Sequence, residues 1–302
     1  MIQTEQLTKK FSATLAVEKL SLDVQEGEVF GFLGPNGAGK TTTVRMLTAL
    51  IRPTSGSATV NGFRLGKQNK DIRKCVGILT ENPGMYDNLS AEYNLEIYAN
   101  LYEVQDGSGQ VEKYLRMLGL WDRRKDAVGS FSKGMKQKLA IARALLHEPR
   151  ILFLDEPTAA LDPEAAHMVR EFIQELRKLG RTIFLTTHNL DEADRLCDRI
   201  GVFKTRLLVV DSPETLRTQL FGRMVVFHLR QVDHNLERLV ANQSYVREAR
   251  LIDEKLVVSL DDPEAHNPDL IRILVGAGAD ILYVGELRRS LEDVYLQLIK
   301  NA

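Results

Sequence analysis

The chain has 302 residues, of which 44% are hydrophobic and 27% charged, and its formal net charge is -1. That balance is ordinary for a folded globular protein, so disorder and fibrous repeats are excluded, and the length allows a large core domain plus a smaller one. The basic clusters Lys67/Lys70/Arg73/Lys74 and Arg123/Arg124/Lys125 are interleaved with acidic and amide residues, which reads as solvated surface and gives no expectation of a nucleic-acid partner.

Residues 1–24 read as two short strands around a loop, and Gln25-Glu26-Gly27-Glu28 turns the chain into the apolar strand Val29 to Leu33. A glycine-rich loop follows, then a helix over Thr42 to Leu50, stopped by Arg52-Pro53-Thr54-Ser55-Gly56 ahead of a short strand at Ala58 to Asn61. From about Met85 to His147 the spacing is helical, with Leu89, Tyr93, Leu95, Ile97, Tyr98 and Leu101 early and Val111, Leu115 and Leu118 later, which predicts a helical insert. The compact runs Ile151 to Leu154 and Thr182 to Thr186 flank the helical stretch Pro163 to Leu179, a β-α-β arrangement that predicts a parallel sheet and an α/β core.

A seam is expected near Asp211-Ser212-Pro213, and we divide the chain into 1–215 and 216–302. The second part predicts strands at Met224 to Leu229, Val246 to Ile252, Lys255 to Leu260 and Ile281 to Leu287, and helices at Leu236 to Asn242, Asp269 to Val275 and Leu291 to Ile299. That order is a small α+β domain of ferredoxin-like type. Cys75 and Cys197 sit in no CxxC pair and near no histidine at zinc-ligand spacing, as expected for reduced thiols. The apolar runs are strand-sized and the first ten residues lack a signal-peptide stretch, so the expectation is a chain that neither crosses a membrane nor is secreted.

The strongest chemical signal is Gly34-Pro35-Asn36-Gly37-Ala38-Gly39-Lys40-Thr41, which fits the P-loop spacing between a predicted strand and a predicted helix. Glycines let backbone N–H groups fold around phosphate oxygens, and the helix presents its positive end to them. Lys40 is expected to neutralise the β- and γ-phosphates, Thr41 to place its hydroxyl on Mg2+, and Thr42 to serve the α-phosphate. The second signal is the buried-strand run Ile151-Leu152-Phe153-Leu154 ending in Asp155-Glu156, which resembles a Walker B strand. Carboxylates at the carboxyl end of such a strand lie at the α/β crevice, where Asp155 can hold the metal shell and Glu156 can polarise an attacking water.

With these residues the first two-thirds of the chain resembles the ABC-type ATPases: a P-loop ABC ATPase core with an antiparallel β subdomain and a helical insert. Phe131-Ser132-Lys133-Gly134-Met135 resembles the family's signature sequence. Read physically, it is a second phosphate-binding helix N-terminus with the Ser132 hydroxyl and Gly134 backbone available to a γ-phosphate. The resemblance implies that it serves ATP held by a second protomer, a homodimer being expected. Ala160-Leu161-Asp162 resembles the D-loop, His188 the switch histidine, and Phe11 the aromatic residue placed against adenine. The family usually has Leu before the signature Ser and Gly-Gly after it; here Phe131 and Lys133 replace the first and second of these. In Leu79-Thr80-Glu81-Asn82-Pro83, Glu81 stands where a glutamine is usual, and we carry Glu81 with Thr41 and Asp155 as a metal-ligand candidate.

Asp191-Glu192-Ala193-Asp194 spells a helicase-like tetrapeptide, but no buried strand leads into it, and the stretch to Arg199 reads as a helix with a solvated face. No Asn-Lys-x-Asp segment supports guanine recognition. The resemblance implies an ATP- and Mg2+-dependent subunit that energises an ABC transporter. By the same resemblance it is expected in the cytoplasm, peripheral on the inner face of the cell membrane through a separate transmembrane permease. The second part of the chain, with Ser290-Leu291-Glu292-Asp293-Val294-Tyr295, resembles drug, antibiotic-resistance and sodium-export ATPases, which points to an exporter. The alternative is a non-transport ABC ATPase acting on ribosomes or nucleic acid.

Overall fold

In the computed structural model, which describes residues 1–80, 84–159, 161–231, 233–287 and 289–300, the chain opens with an antiparallel hairpin of β1 (Ile2–Phe11) and β2 (Thr14–Val24). These strands are long rather than short. Their register shifts at Thr4/Leu7 and Leu7/Lys9, beside the left-handed residues Gln6 and Lys19, and such bulges hide the alternation that marks a strand. Next come β3 (Val29–Leu33), α1 (Lys40–Leu47), β4 (Ser55–Val60), β5 (Phe63–Arg64), α2 (Asn69–Cys75) and β6 (Val76–Leu79). The antiparallel order β2-β1-β4-β5 makes the expected β subdomain.

The insert holds α3 (Ala91–Leu101), α4 (Gly107–Met117) and α5 (Lys133–Leu145). Each has a side-chain N-cap: Ser90, Asp106 and Ser132 accept from the N–H groups of Tyr93, Gly109 and Met135. The core resumes with β7 (Ile151–Asp155), α6 (Pro163–Lys178), β8 (Thr182–Thr187), α7 (Leu190–Leu196), β9 (Arg199–Lys204) and β10 (Arg206–Asp211). The main sheet has the order β10-β9-β3-β8-β7-β6, parallel except for the antiparallel edge strand β10.

Every residue of β3, β7 and β8 is buried, as a parallel sheet covered on both faces requires. Phe30, Phe32, Phe153, Phe184 and Phe203 interlock across four neighbouring strands, with ring centroids 4.6 to 5.6 Å apart for Phe32/Phe203 through Phe30/Phe184. Tilted aromatic pairs at such distances add to the free energy of burial. Thus the strands whose ends carry the candidate chemistry share one rigid apolar layer.

Helix α7 corrects one expectation. It stops at Leu196, Arg199 already belongs to β9, and only Asp191, Asp194 and Arg195 of the tetrapeptide region are exposed, whereas Glu192 and Ala193 are buried.

The chain divides into two compact units, Met1–Asp211 and Ser212–Ala302, four residues earlier than the 215/216 division. Ser212 caps α8 (Pro213–Phe221), so the Asp211-Ser212-Pro213 signal is a helix start. The second unit continues with β11 (Arg223–Leu229), α9 (His234–Ala241), β12 (Val246–Ile252), β13 (Lys255–Leu260), α10 (Pro263–Gly276), β14 (Ile281–Glu286) and α11 (Leu291–Lys300). Its sheet order, β12-β13-β11-β14 with every pairing antiparallel, is the ferredoxin-like arrangement. Helix α10 begins six residues before the expected Asp269, because Pro268 inside it reads from sequence as a breaker.

Candidate active site

Between β3 and α1, residues 35–39 wrap the mouth of a cavity of about 430 Å³, and Gly34, just ahead of them, does not line it. Two glycines are forced by contact. A Cβ on Gly34 would lie 2.2 Å from the Phe203 carbonyl oxygen, and one on Gly39, whose φ is +104°, would lie 2.1 Å from that of Ala16. Only a residue without a side chain permits these approaches. Within the loop the Ala38 N–H donates to Pro35 O at 3.1 Å, and the Thr205 N–H donates to Ala38 O at 3.0 Å, which fastens the loop to the turn after β9.

Lys40 is 7% exposed, and its ammonium donates to Gly34 O at 2.8 Å and Pro35 O at 3.3 Å, with Glu156 Oε1 3.8 Å away. A buried cation at a helix start, beside a loop of N–H groups, makes this end of the cavity fit for an anion. Thr41 donates its hydroxyl to Asp155 Oδ2 at 2.9 Å, and Thr186 on the adjacent strand donates to Asp155 Oδ1. Asp155, at the end of β7, is 3% exposed, so both of its oxygens are engaged where water is nearly excluded.

Glu156 follows with φ +52°, a left-handed backbone uncommon outside glycine, and its N–H donates to Thr186 O at 3.0 Å. This turn aims its carboxylate back into the cavity, where Oε2 lies 2.9 Å from His188 Nδ1. His188 stands just past the end of β8, so the two groups come from neighbouring parallel strands paired residue for residue, Asp155 with Thr186. Residues 35–42, Asp155, Glu156 and His188 all line this one cavity.

Ser132 and Gly134 do not line it. Ser132 Oγ accepts from Met135 N at 3.2 Å as the cap of α5, and Gly134 is pressed against Ala165 of α6, where an added Cβ would come within 2.9 Å. Phe11 does not line it either; it is 47% exposed rather than a core residue, with the Lys9 ammonium 4.8 Å from its ring centroid. Its hairpin partner Thr14 is a lining residue, as are Leu15 and Ala16. Asp162 caps α6 through the Ala165 N–H at 2.8 Å. Glu81 and Ala160 lie outside the described residues.

Three side chains were not legible as parts of the site. Leu15 is a 38% exposed apolar group at the cavity wall. Gln137 donates to Pro157 O at 2.7 Å from within α5. Glu192 is 2% exposed, and its Oε1 accepts from Thr158 Oγ1 at 2.8 Å. Burial pushes the Glu192 carboxyl upward, and the nearby Glu156 charge adds to this against the Thr158 and Thr187 hydroxyls. Among the described residues no group of three or more His, Cys, Asp or Glu side chains forms a metal cluster, and no helix is long and apolar enough to cross a membrane.

Comparison with known proteins agrees with this geometry. The family model described as "ABC transporter" matches residues 17–159. The bacitracin transport ATP-binding protein BcrA of Bacillus licheniformis is 36% identical over 99% of this chain and 97% of its own length. The linearmycin resistance ATP-binding protein LnrL of Bacillus subtilis (strain 168) is 30% identical over 99% of this chain and 98% of its own length. Among solved structures, an ATP-binding subunit of an ABC transporter superposes with a TM-score of 0.67 at 31% identity, covering 74% of this chain and 94% of that one. A chain with this P-loop cavity, matched across nearly its whole length by such relatives, belongs to the ATP-binding proteins of ABC transporters, the subunits that bind and hydrolyse ATP to energise transport.

Proposed function

We propose that the cavity is the hydrolytic half-site of an exporter's ATPase subunit, completed by a second protomer and coupled to a separate transmembrane permease. The observation that carries this reading is the convergence of Lys40, Thr41, Asp155, Glu156 and His188 on one cavity. Backbone N–H groups of the loop, apart from Pro35, which has none, and Ala38, whose N–H donates to Pro35 O, hold phosphate oxygens, with Lys40 at the β- and γ-phosphates and Thr42 at the α-phosphate side. Leu15 and Phe11, the half-exposed apolar side chains of the first hairpin, meet the adenine base.

The Thr41 hydroxyl and the Asp155 carboxylate are already 2.9 Å apart, and a hydroxyl plus one carboxylate beside phosphate is the donor set that Mg2+ favours. When bound, Mg2+ neutralises charge building on the phosphate oxygens. Glu81 remains a further candidate ligand on residue type alone. Glu156 takes a proton from the attacking water as its oxygen bonds to the γ-phosphorus and the bond to the ADP oxygen breaks, yielding ADP and phosphate. His188, fixed by Glu156, presents its other ring nitrogen to the γ-phosphate.

Ser132 and Gly134 open α5 away from this cavity, so the phosphate site they form serves ATP held by the partner protomer. The γ-phosphate thereby distinguishes a closed dimer from an open one, and the helical insert passes that difference to the permease. On this reading the chain acts in the cytoplasm, peripheral on the inner membrane face through its permease. The second unit is an accessory domain. Action on ribosomes or nucleic acid gains no support from a chain of net charge -1 whose relatives are named for transport and resistance.

The test is ATP turnover and nucleotide binding in Glu156→Gln. Loss of turnover by about a hundredfold or more, with ATP still bound and a dimer retained on size-exclusion, is expected. Wild-type turnover in that variant overturns the reading.

A further inference from the structure

A carboxylate buried as deeply as Glu192 is unfavourable unless its surroundings require it there. Glu192 lies in the first turn of α7, four residues after His188, and its own N–H donates to the Asn189 cap at 3.0 Å. Its Oε1 takes the Thr158 hydroxyl at 2.8 Å, while its Oε2 is buried with no partner at full hydrogen-bond geometry, the Thr187 hydroxyl beside the carboxyl being the nearest further donor. Thr158 sits inside the tight turn that the Ala159 N–H closes onto Glu156 O at 3.1 Å.

That turn carries one of the ten left-handed non-glycine residues among the described residues. Glu156 holds φ +52° immediately before Pro157, and a left-handed residue with a full side chain persists only where its surroundings over-determine it. Two side chains grip the turn: Gln137 from α5 on Pro157 O, and Glu192 from α7 on Thr158. The Glu192 grip is the one that also belongs to the His188 segment. It therefore joins the two loops whose side chains, Glu156 and His188, meet at 2.9 Å.

We propose that Glu192 is a positioning residue for hydrolysis: by accepting the Thr158 hydroxyl it locks the Glu156 turn to the His188 segment and so sets the geometry of that pair. The inference rests on the roles assigned above to Glu156 and His188. It needs an acceptor at residue 192 rather than a charge, because a carboxyl oxygen or an amide oxygen takes the same hydroxyl proton.

The experiment is ATP turnover of the full-length chain in Glu192→Gln, Glu192→Leu and Thr158→Val, with the nucleotide Kd of each from a fluorescent ATP analogue. Loss of the latch is expected to lower kcat about tenfold in Glu192→Leu and Thr158→Val, below the hundredfold of a full ångström misplacement, with Kd nearly unchanged. The double variant is no worse than either single one, and Glu192→Gln keeps most of the wild-type kcat. Thr158→Val deletes only a hydroxyl and keeps the test alive if the leucine variant does not fold. Wild-type kcat in Thr158→Val, or a Glu192→Gln variant as slow as Glu192→Leu, overturns the proposal. Glu156→Gln run alongside separates the two ideas: if it is inactive while Thr158→Val is not, only the latch fails, and if it turns over normally, the assigned base fails.

Discussion

His188 Nδ1 and Glu156 Oε2 lie 2.9 Å apart, so the two groups assigned to water and to the terminal phosphate are one hydrogen-bonded pair, delivered by adjacent strands. With Nδ1–H donating to the carboxylate, the imidazole plane is fixed and its Nε2 is the nitrogen left to face substrate. Residues that act as a unit are not additive when removed. His188→Ala and Glu156→Gln are each expected to lower kcat by about a hundredfold or more, and the double variant to be little worse than the poorer single one. Steady-state phosphate release from the three proteins checks this, and fully additive losses would mean the pair does not work together.

The two kinds of glycine in the P-loop predict different costs. At Gly39 an added methyl meets the Ala16 carbonyl at 2.1 Å, whereas at Gly37, with φ +78°, it meets nothing within 4 Å. Gly37→Ala is expected to cost about 1 kcal/mol for its left-handed backbone. Gly39→Ala adds a backbone clash and is expected to cost several times that while abolishing ATP binding. Thermal unfolding and nucleotide titration of both variants read the contrast.

Lys40 is held by the carbonyls of Gly34 and Pro35, so its loss exposes the fold as well as the ligand to a change. Lys40→Ala should weaken ATP binding by at least about tenfold, and should leave two inward-facing carbonyls without their charged donor, at about 1–3 kcal/mol of stability. Equilibrium dialysis and urea unfolding measure the two effects separately.

Ahead of β7, at the strand end opposite Asp155, Glu148 gathers Lys113, Tyr114 and Arg181: Tyr114 donates to its Oε1 at 2.9 Å, and the two cations pair with it. Burial alone would raise its pKa, but hydrogen bonds from Lys113 and Tyr114, aided by both positive charges, hold it below the usual carboxylate range. A depressed folded-state pKa stabilises the protein above the unfolded value near 4.5 and is lost as pH falls through the folded one. The stability gap between the wild type and Glu148→Gln is therefore expected to be largest at neutral pH and to shrink below about pH 4. Urea midpoints at neutral and acidic pH test the sign.

The parts of this molecule that were legible in sequence are those in which neighbours along the chain do the work. The P-loop is contiguous, and Ile151 to Asp155 is an unbroken apolar run ending in acid, so residue type and spacing carried both the strand and its chemistry. The cap Ser132 was legible for the same reason, whereas Ser212, which also caps a helix, read only as a seam. Glu192 was not, because a seven-residue helix gives too little periodicity to say which side faces inward, and its partner Thr158 is 34 residues away. Leu15 escaped notice since an apolar residue at a hairpin tip looks like any other. Pro268 misled by being a residue that usually stops helices, placed here inside one.

The interlocked rings of Phe30, Phe32, Phe153, Phe184 and Phe203 lie directly beneath these strand ends. The chemical groups thus have no foundation separate from the slab, and catalysis and folding should fail together on heating. An inactivation curve that runs ahead of the melting curve would belong to looser parts of the molecule. Shaving one ring, as in Phe184→Ala, should bring both curves down in step, by about 3–5 kcal/mol of lost packing.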